Sequence, residues 1–288
     1  MEYLNLEVKE VIKETADSVS VHFKQPENKK ITYKSGQFLT FIVDIDGKEE
    51  RRAYSLCSSP VADADLAVAV KRVNKGLVSN YINDNVKKGD IIKLLEPMGT
   101  FTFTPDTSKE RHLVLLGGGS GITPMFSILK TALKEEPKTK ITLVYANQSK
   151  ASTIFRTQLD KLEATHEKLE VIHYLDEENQ GKKKLLGLKK QKPFLTKDRL
   201  KGLLAPLNIN KDDVNFFICG PQGMMKVAEE TLLSLKFPSS KIKKESFVSD
   251  KPQKAEKSSN SIAKFKNVKV KYLGQEYNIE VKQGTPVL

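Results

Sequence analysis

Three stretches of this chain combine residue types that can do chemistry on a shared ligand. Arg52-Ala53-Tyr54-Ser55 sets a guanidinium, an aromatic ring and a hydroxyl within four residues. In an extended strand Arg52 and Tyr54 share one face and Ser55 takes the other. An aromatic ring and a guanidinium on one face can stack on a planar ring and pair with a phosphate, although a plain surface strand presents the same ladder. Lys71-Arg72-Val73-Asn74-Lys75-Gly76-Leu77-Val78-Ser79 joins a basic strand end, a glycine turn and a helix start. That combination suits an anion or a solvated basic turn.

The strongest stretch is His112-Leu113-Val114-Leu115-Leu116-Gly117-Gly118-Gly119-Ser120-Gly121-Ile122-Thr123-Pro124, an apolar run followed by four glycines within five residues. The run has the length of a buried parallel strand. Thr123 suits a helix N-cap and Pro124 the first helical position. Strand, glycine turn and helix N-terminus aim backbone N–H groups and a partial positive charge at one point, as a phosphate requires. The G-x-G-x-x-G fingerprint does not fit, because its last position falls on Ile122 or Pro124. Cys219-Gly220-Pro221 repeats the strand–turn–helix logic after Phe216-Phe217-Ile218. No histidine stands nearby to activate Cys219 as a nucleophile, and a buried inert thiol is the commoner role for such a cysteine.

These stretches need elements to hold them. Residues 3–13, 17–24, 37–45, 50–56, 66–72 and 91–95 read as short strands between Gly, Asn and Asp turns. One helix near Leu77–Val86 interrupts them, Pro97–Phe101 reads as a closing loop, and the set predicts a small antiparallel β-barrel. From His112 onward strand and helix alternate: strands at 141–146, 169–175, 214–219 and 242–248, helices at 152–165, 197–204 and 221–235. This order predicts a doubly wound parallel sheet. Its ligand loops, 117–123, 147–150 and 219–223, follow the carboxyl ends of strands. Residues 176–196 read as a long, lysine-rich, mobile connection.

The whole chain narrows the classes. Its 288 residues suit two domains, and no apolar run resembles a signal peptide or a membrane span. Cys57 and Cys219 are the only cysteines, without metal-ligand spacing, so a reducing, cytoplasmic setting is the default and no metal site is expected. The net charge of +12 raises a nucleic-acid reading, but the lysines gather at 182–192 and after Lys251 without interleaved aromatics. A solvated face or an acidic protein partner is the better expectation.

A barrel with Arg52-Ala53-Tyr54-Ser55, then Gly118-Gly119-Ser120-Gly121-Ile122-Thr123-Pro124, then Cys219-Gly220-Pro221, resembles the ferredoxin–NADP(+) reductase family across residues 1–250. It is most similar to reductase components of multicomponent oxygenases. The resemblance implies FAD held by Arg52, Ala53, Tyr54 and Ser55. Arg52 meets the pyrophosphate, Tyr54 packs on the isoalloxazine, and Ser55 bonds near its N5. Lys71, Val73, Gly76, Val78 and Ser79 match the second flavin-phosphate segment. Gly118, Gly119, Gly121, Thr123, Gly220 and Pro221 match the pyridine-nucleotide site, with Cys219 beside the hydride-donating carbon. Glu245 and Phe247 match an E-x-F at the flavin edge. Ser55, Cys219 and Glu245 are then the catalytic group.

The implied activity is an FAD-dependent NAD(P)H oxidoreductase that passes single electrons to a [2Fe–2S] centre and on to an oxygenase or other acceptor. A non-catalytic flavin- and nucleotide-binding module is the alternative. The end of the second strand, Tyr145-Ala146-Asn147-Gln148-Ser149-Lys150, carries no acid for ribose hydroxyls, and Lys150 or Arg156 can reach a 2′-phosphate, which favours NADPH over NADH. The domains read as 1–106 (FAD barrel), 107–250 (nucleotide domain), 251–267 (polar linker) and 268–288. The last segment pairs Val268–Leu273 with Gln275–Val281 as a hairpin and resembles the start of a plant-type [2Fe–2S] ferredoxin domain. Such a cluster needs four cysteines, so it is expected only if the natural chain continues beyond Leu288.

Overall fold

A computed structural model describes residues 3–26, 28, 30–176 and 195–247, together with the backbones of Phe265–Tyr272 and Gln275–Lys282. Residues up to Phe247 form one compact unit.

The unit opens with six antiparallel strands: β1 (Tyr3–Thr15), β2 (Ser18–Phe23), β3 (Phe38–Ile45), β4 (Lys48–Ser55), β5 (Leu66–Lys71) and β6 (Ile91–Met98). They run in the order β4-β3-β6-β1-β2-β5, and a bridge from Leu56 to Val68 brings the two ends together as a barrel. Strand β6 continues through Pro97 and Met98, where a loop was expected, because Met98 pairs with Phe38. Helix α1 (Leu77–Asn85) seals the barrel with buried Val78 and Ile82.

Strand β5 shows how the barrel meets its neighbour. Its side chains alternate between two faces. Leu66, Val68 and Val70 fill the barrel, while Ala67 and Ala69 join a second core with Leu113, Leu115, Ile128 and Leu129. The two alanines let a helix approach closely.

The second half is a parallel sheet in the order β11-β10-β7-β8-β9. Its strands are β7 (His112–Gly118), β8 (Lys140–Asn147), β9 (Leu169–Leu175), β10 (Val214–Cys219) and β11 (Ile242–Glu245). Helices α2 (Ile122–Glu135) and α3 (Arg156–Thr165) contribute to the core shared with the barrel. Helices α4 (Lys197–Leu204) and α5 (Gln222–Ser234) cover the other face, against Val114, Leu116, Phe216 and Ile218. The antiparallel barrel and doubly wound sheet thus match the expected fold class.

Two further boundaries differ from the sequence reading. Helix α3 starts at Arg156 rather than at residue 152, because Ser149 caps a separate 3₁₀ turn at Lys150–Ser152 and Phe155 is left-handed (φ 59°). The ring of Phe155 stacks on Phe126 of α2 at 4.5 Å, which holds that bend. Strand β11 stops at Glu245, where its pairing with Cys219 ends. The stretch 102–111 between the two sheets is firmly packed: Phe103 is buried, and fully buried Glu136 accepts hydrogen bonds from the Asp106 N–H and the Arg111 guanidinium.

Of the connection expected at 176–196, residues 177–194 lie outside the described residues, as do residues 251–264 of the linker expected at 251–267, whose last three residues instead open a strand. In the second unit, β12 (Phe265–Tyr272) pairs antiparallel with β13 (Gln275–Lys282), as the hairpin pattern predicts.

Phe217 packs edge-on against Phe101 at 5.5 Å and lies 6.2 Å from Phe103, so one ring ties the sheet to the end of the barrel. Phe217→Ala is expected to cost about 3–5 kcal/mol. Because the core is shared, urea should unfold 3–247 in a single transition by circular dichroism. Two separated transitions would contradict a shared core.

Candidate functional site: the junction of barrel and parallel sheet

The Arg-Ala-Tyr-Ser strand is β4. Its pairing with β3 puts Ala53 opposite Thr40, Tyr54 opposite Leu39 and Ser55 opposite Phe38. Arg52 and Tyr54 share a half-buried face, as strand alternation requires. The Tyr54 ring stands edge-on to Phe41 at 5.2 Å, fixed on the barrel core, and burial raises its hydroxyl pKa above the usual phenol range. Arg52 donates to the Arg51 carbonyl at 2.6 Å and keeps a partly exposed guanidinium 3.5 Å from Glu50.

The second basic segment is a turn closed on itself. The hydroxyl of buried Ser79 accepts from the Val73 N–H at 3.1 Å and donates to the Gly76 carbonyl at 3.4 Å. Its single donor is thus spent inside the turn, and Val78 is buried in the barrel. Lys71 lies 3.4 Å from Asp17.

The glycine loop departs from the expected cap. Gly118 ends β7, Gly119–Gly121 form a 3₁₀ turn, and α2 begins at Ile122 with Gly121 as N-cap. Thr123 therefore lies inside the first turn, where its hydroxyl donates to the Ser120 carbonyl at 3.0 Å. Pro124 is likewise third in the helix, still among positions whose N–H has no intrahelical acceptor. A methyl group on Gly121 would sit 2.2 Å from the Cys219 carbonyl oxygen, and one on Gly118 would sit 2.6 Å from Met224 Sδ. The glycines are needed for this backbone contact between the two ligand loops as well as for any ligand. Tyr145, which the motifs do not flag, donates to the Gly119 carbonyl at 3.0 Å. Its signal in the sequence is a tyrosine inside an otherwise apolar buried strand.

The other expected residues lie around this loop. Asn147 ends β8, and its buried side-chain Nδ2 makes no close hydrogen bond among the described residues. Lys150 opens the following 3₁₀ turn. Arg156, first in α3, bonds to Asp160 one turn on at 3.2 Å. Gly220 and Pro221 lead from β10 into α5, and Met225 N–H bonds to the Pro221 carbonyl at 3.0 Å.

Ser55, Cys219 and Glu245 come together. Cys219 is the register partner of Glu245 across β10 and β11. Ser55, buried at the end of the barrel strand and 190 residues away, donates to Glu245 Oε2 at 3.2 Å. Burial pushes the Glu245 carboxyl up to about 7, against a smaller opposing effect of the Ser55 bond. Burial, helped by the Glu245 charge, also holds the Cys219 thiol neutral, so it is no thiolate nucleophile. Phe247, two residues on, is 41% exposed.

These residues fit a flavin and a nicotinamide nucleotide. The barrel offers a fixed aromatic ring and a guanidinium. The sheet offers a glycine loop at a helix start and, in Asn147, a buried amide with no close hydrogen bond among the described residues. A barrel whose Arg-Ala-Tyr-Ser strand touches the carboxyl edge of a parallel nucleotide sheet is the architecture of a flavin- and nicotinamide-binding reductase.

The comparisons with known proteins agree. Residues 4–103 match the family described as oxidoreductase FAD-binding domain, and residues 115–230 that described as oxidoreductase NAD-binding domain. The chain belongs to the FAD- and NAD-binding oxidoreductases of the ferredoxin reductase family. It is 32% identical over 252 residues to a component of the 1,2-phenylacetyl-CoA epoxidase of Escherichia coli (strain K12), covering 84% of this chain and 67% of that one. It is 37% identical over 256 residues to the ferredoxin reductase component of 3-ketosteroid-9-alpha-monooxygenase of Mycobacterium tuberculosis (strain ATCC 25618 / H37Rv), covering 85% and 66%. The chain thus spans about two thirds of the length of these relatives.

Among solved structures, the flavohem-like FAD/NAD binding domain of nitric oxide dioxygenase from Vibrio cholerae O1 biovar El Tor superposes with a TM-score of 0.67 at 28% identity, over 84% of this chain and 98% of that one. A ferredoxin NADP+ reductase from Neisseria gonorrhoeae with bound FAD and NADP shares the fold at a TM-score of 0.64 and 20% identity, over 86% and 100%.

The raised Glu245 pKa has a stability consequence. Below about pH 4.5 the carboxyl is protonated folded or unfolded. Between there and about pH 7 the unfolded chain ionises first, so stability falls, and above pH 7 the cost is constant. Allowing for its partial contact with solvent, that cost is about 1–3 kcal/mol. Glu245→Gln should therefore gain stability relative to the parent by about that amount between pH 4.5 and 8 in urea titrations. A pH-independent difference would contradict the assignment.

Proposed function

We propose that this chain is an NAD(P)H-dependent flavin reductase that supplies single electrons to an iron–sulfur protein or oxygenase. One observation carries the reading. The Ser55 hydroxyl of the flavin-type barrel reaches Glu245, the register partner of Cys219 at the nucleotide edge of the parallel sheet. A ring lying on Tyr54 and a nicotinamide lying by Thr123 and Cys219 would meet at this junction. NAD(P)H gives up two electrons and a proton together, and FAD, when bound, supplies their release as single electrons.

The protein groups have separable tasks in this reading. Arg52 and the 71–79 turn hold flavin phosphates, the latter through backbone N–H groups, since the Ser79 hydroxyl donor is already used. Gly118, Gly119 and Gly121 admit the nucleotide phosphates, and the Asn147 amide donates to the nucleotide. Glu245 holds or releases a proton near neutral pH at a buried position, with Ser55 in hydrogen-bond reach. Cys219 keeps its proton and supplies a small, polarisable surface rather than a covalent bond.

NADPH is the proposed donor, with Lys150 and Arg156 nearest its 2′-phosphate. Arg156 would then exchange Asp160 for the phosphate. The acceptor is proposed from the relatives, whose names place them as components of an epoxidase and a monooxygenase. Any [2Fe–2S] centre would come from a further segment or a separate protein, because Cys57 and Cys219 are both buried and cannot supply four thiolates. No helix among the described residues is long and apolar enough to cross a membrane, and a cytoplasmic setting is part of the same proposal.

Purified protein should be yellow, and NADPH should bleach the flavin within the dead time or early seconds of a stopped-flow trace and drive reduction of an artificial dye. Ser55→Ala should keep FAD and slow the bleaching about a hundredfold. Colourless protein that takes up no FAD would overturn the reading. Flavin that NADPH and NADH leave oxidised would favour a non-catalytic module.

A further inference from the structure

The loop after Ser55 is tied to the helix that carries Thr123 by a compact row of buried polar groups. Ser58 and Ser59 follow Ser55 by three and four residues, and Ser127 and Thr131 follow Thr123 by one and two turns of α2. The Ser127 hydroxyl donates to the Ser58 carbonyl at 2.5 Å. Thr131 spends its proton on the Ser127 carbonyl at 2.8 Å, so across the 2.8 Å contact to Ser59 it must accept and Ser59 must donate. All four side chains are at most 2% exposed. At the rim Lys130 pairs with Asp63, whose carboxylate also accepts from the Ser59 N–H at 2.6 Å.

Each bond here has one geometry that satisfies it. A shift of α2 along the barrel would strand several buried donors and acceptors together, each at a substantial cost. Apolar packing of Ala67 and Ala69 against α2 tolerates small sliding; directed bonds do not. The row lies close to both chemical segments: three residues back to Ser55 on one side, one helical turn back to Thr123 on the other.

We infer that this row is a positioning device that sets how closely the nicotinamide, held by the start of α2, meets the flavin, held by β4. The inference rests on the reductase reading above. Transfer between two rings is steeply sensitive to their separation, and a misplacement of about 1 Å can cost two orders of magnitude in rate. Ser58, Ser59, Ser127 and Thr131 bond to protein groups and are not among the candidate ligand residues. They act through Ser55 and Thr123.

The test uses the FAD-loaded protein. Thr131→Val keeps the shape of the side chain but leaves the Ser59 hydroxyl without its acceptor. Its limiting rate of flavin bleaching by NADPH should fall about tenfold to a hundredfold, with the nucleotide dissociation constant changed less than about threefold. Two readouts are independent of turnover. The long-wavelength absorption of the stacked nicotinamide–flavin pair should weaken, and amide exchange should quicken together in residues 56–63 and 122–131. Thr131→Ser should restore all three. Lys130→Met, at the partly exposed rim, serves where Thr131→Val fails to fold and should show the same pattern. A folded, FAD-loaded variant with the parent's limiting rate and absorption band overturns the inference and leaves the reductase reading standing. A parent protein that NADPH and NADH do not reduce overturns both.

Discussion

The Gly121 backbone lies against the carbonyl of Cys219, closer than any side chain would allow. Much of the site follows from that contact. It holds the loop after β7 and the loop after β10 as one surface, with Met224 packed over Gly118. Strand register then carries the level across the sheet: Gly117 is the partner of Cys219, and Cys219 of Glu245. At the end of that row the barrel arrives, with Ser55 bonded to Glu245. A larger residue at position 121 would part the loops and move the row, so the glycine matters to the geometry of both domains.

The two domains are distinct in topology but not in packing. One core runs from Ala67, Ala69, Phe101 and Phe103 of the barrel side through α2 to Leu113 and Leu115 of the sheet. Its small alanines and large phenylalanines are complementary, the alanines admitting the helix and the phenylalanines filling the gap beside Phe217. Two ligands that must touch benefit from such a foundation, since any looseness between the domains would appear as a spread of distances at the junction.

Burial also decides the chemistry of the junction. Burial pushes the Glu245 carboxyl up to about 7 despite its bond from Ser55, whereas Cys219 is held protonated by the same surroundings. One environment thus yields a group able to exchange a proton and a group that keeps it. Arg52 and Phe247, each 41% exposed, lie outside this pair, on surfaces where a larger ligand or partner has room.

The sequence by itself determined the local structure and the order of the motifs. Alternating apolar residues such as Leu66, Val68 and Val70 must form a strand with one filled face, and an apolar run ending in four glycines must end at a tight turn. These signals are short-range, so they are legible without a fold. Tertiary structure alone decided where α2 and α3 begin, because the 3₁₀ turn at Gly119–Gly121 and the left-handed Phe155 depend on the loops and rings packed against them. It alone joined Ser55 to Glu245 across 190 residues and raised the carboxyl pKa, since neither proximity nor burial is written in spacing. It also showed that serines and threonines with no motif of their own bond α2 to the loop after Ser55. Hydroxyl side chains are common on any surface, and only a partner brought from a distant segment makes one specific.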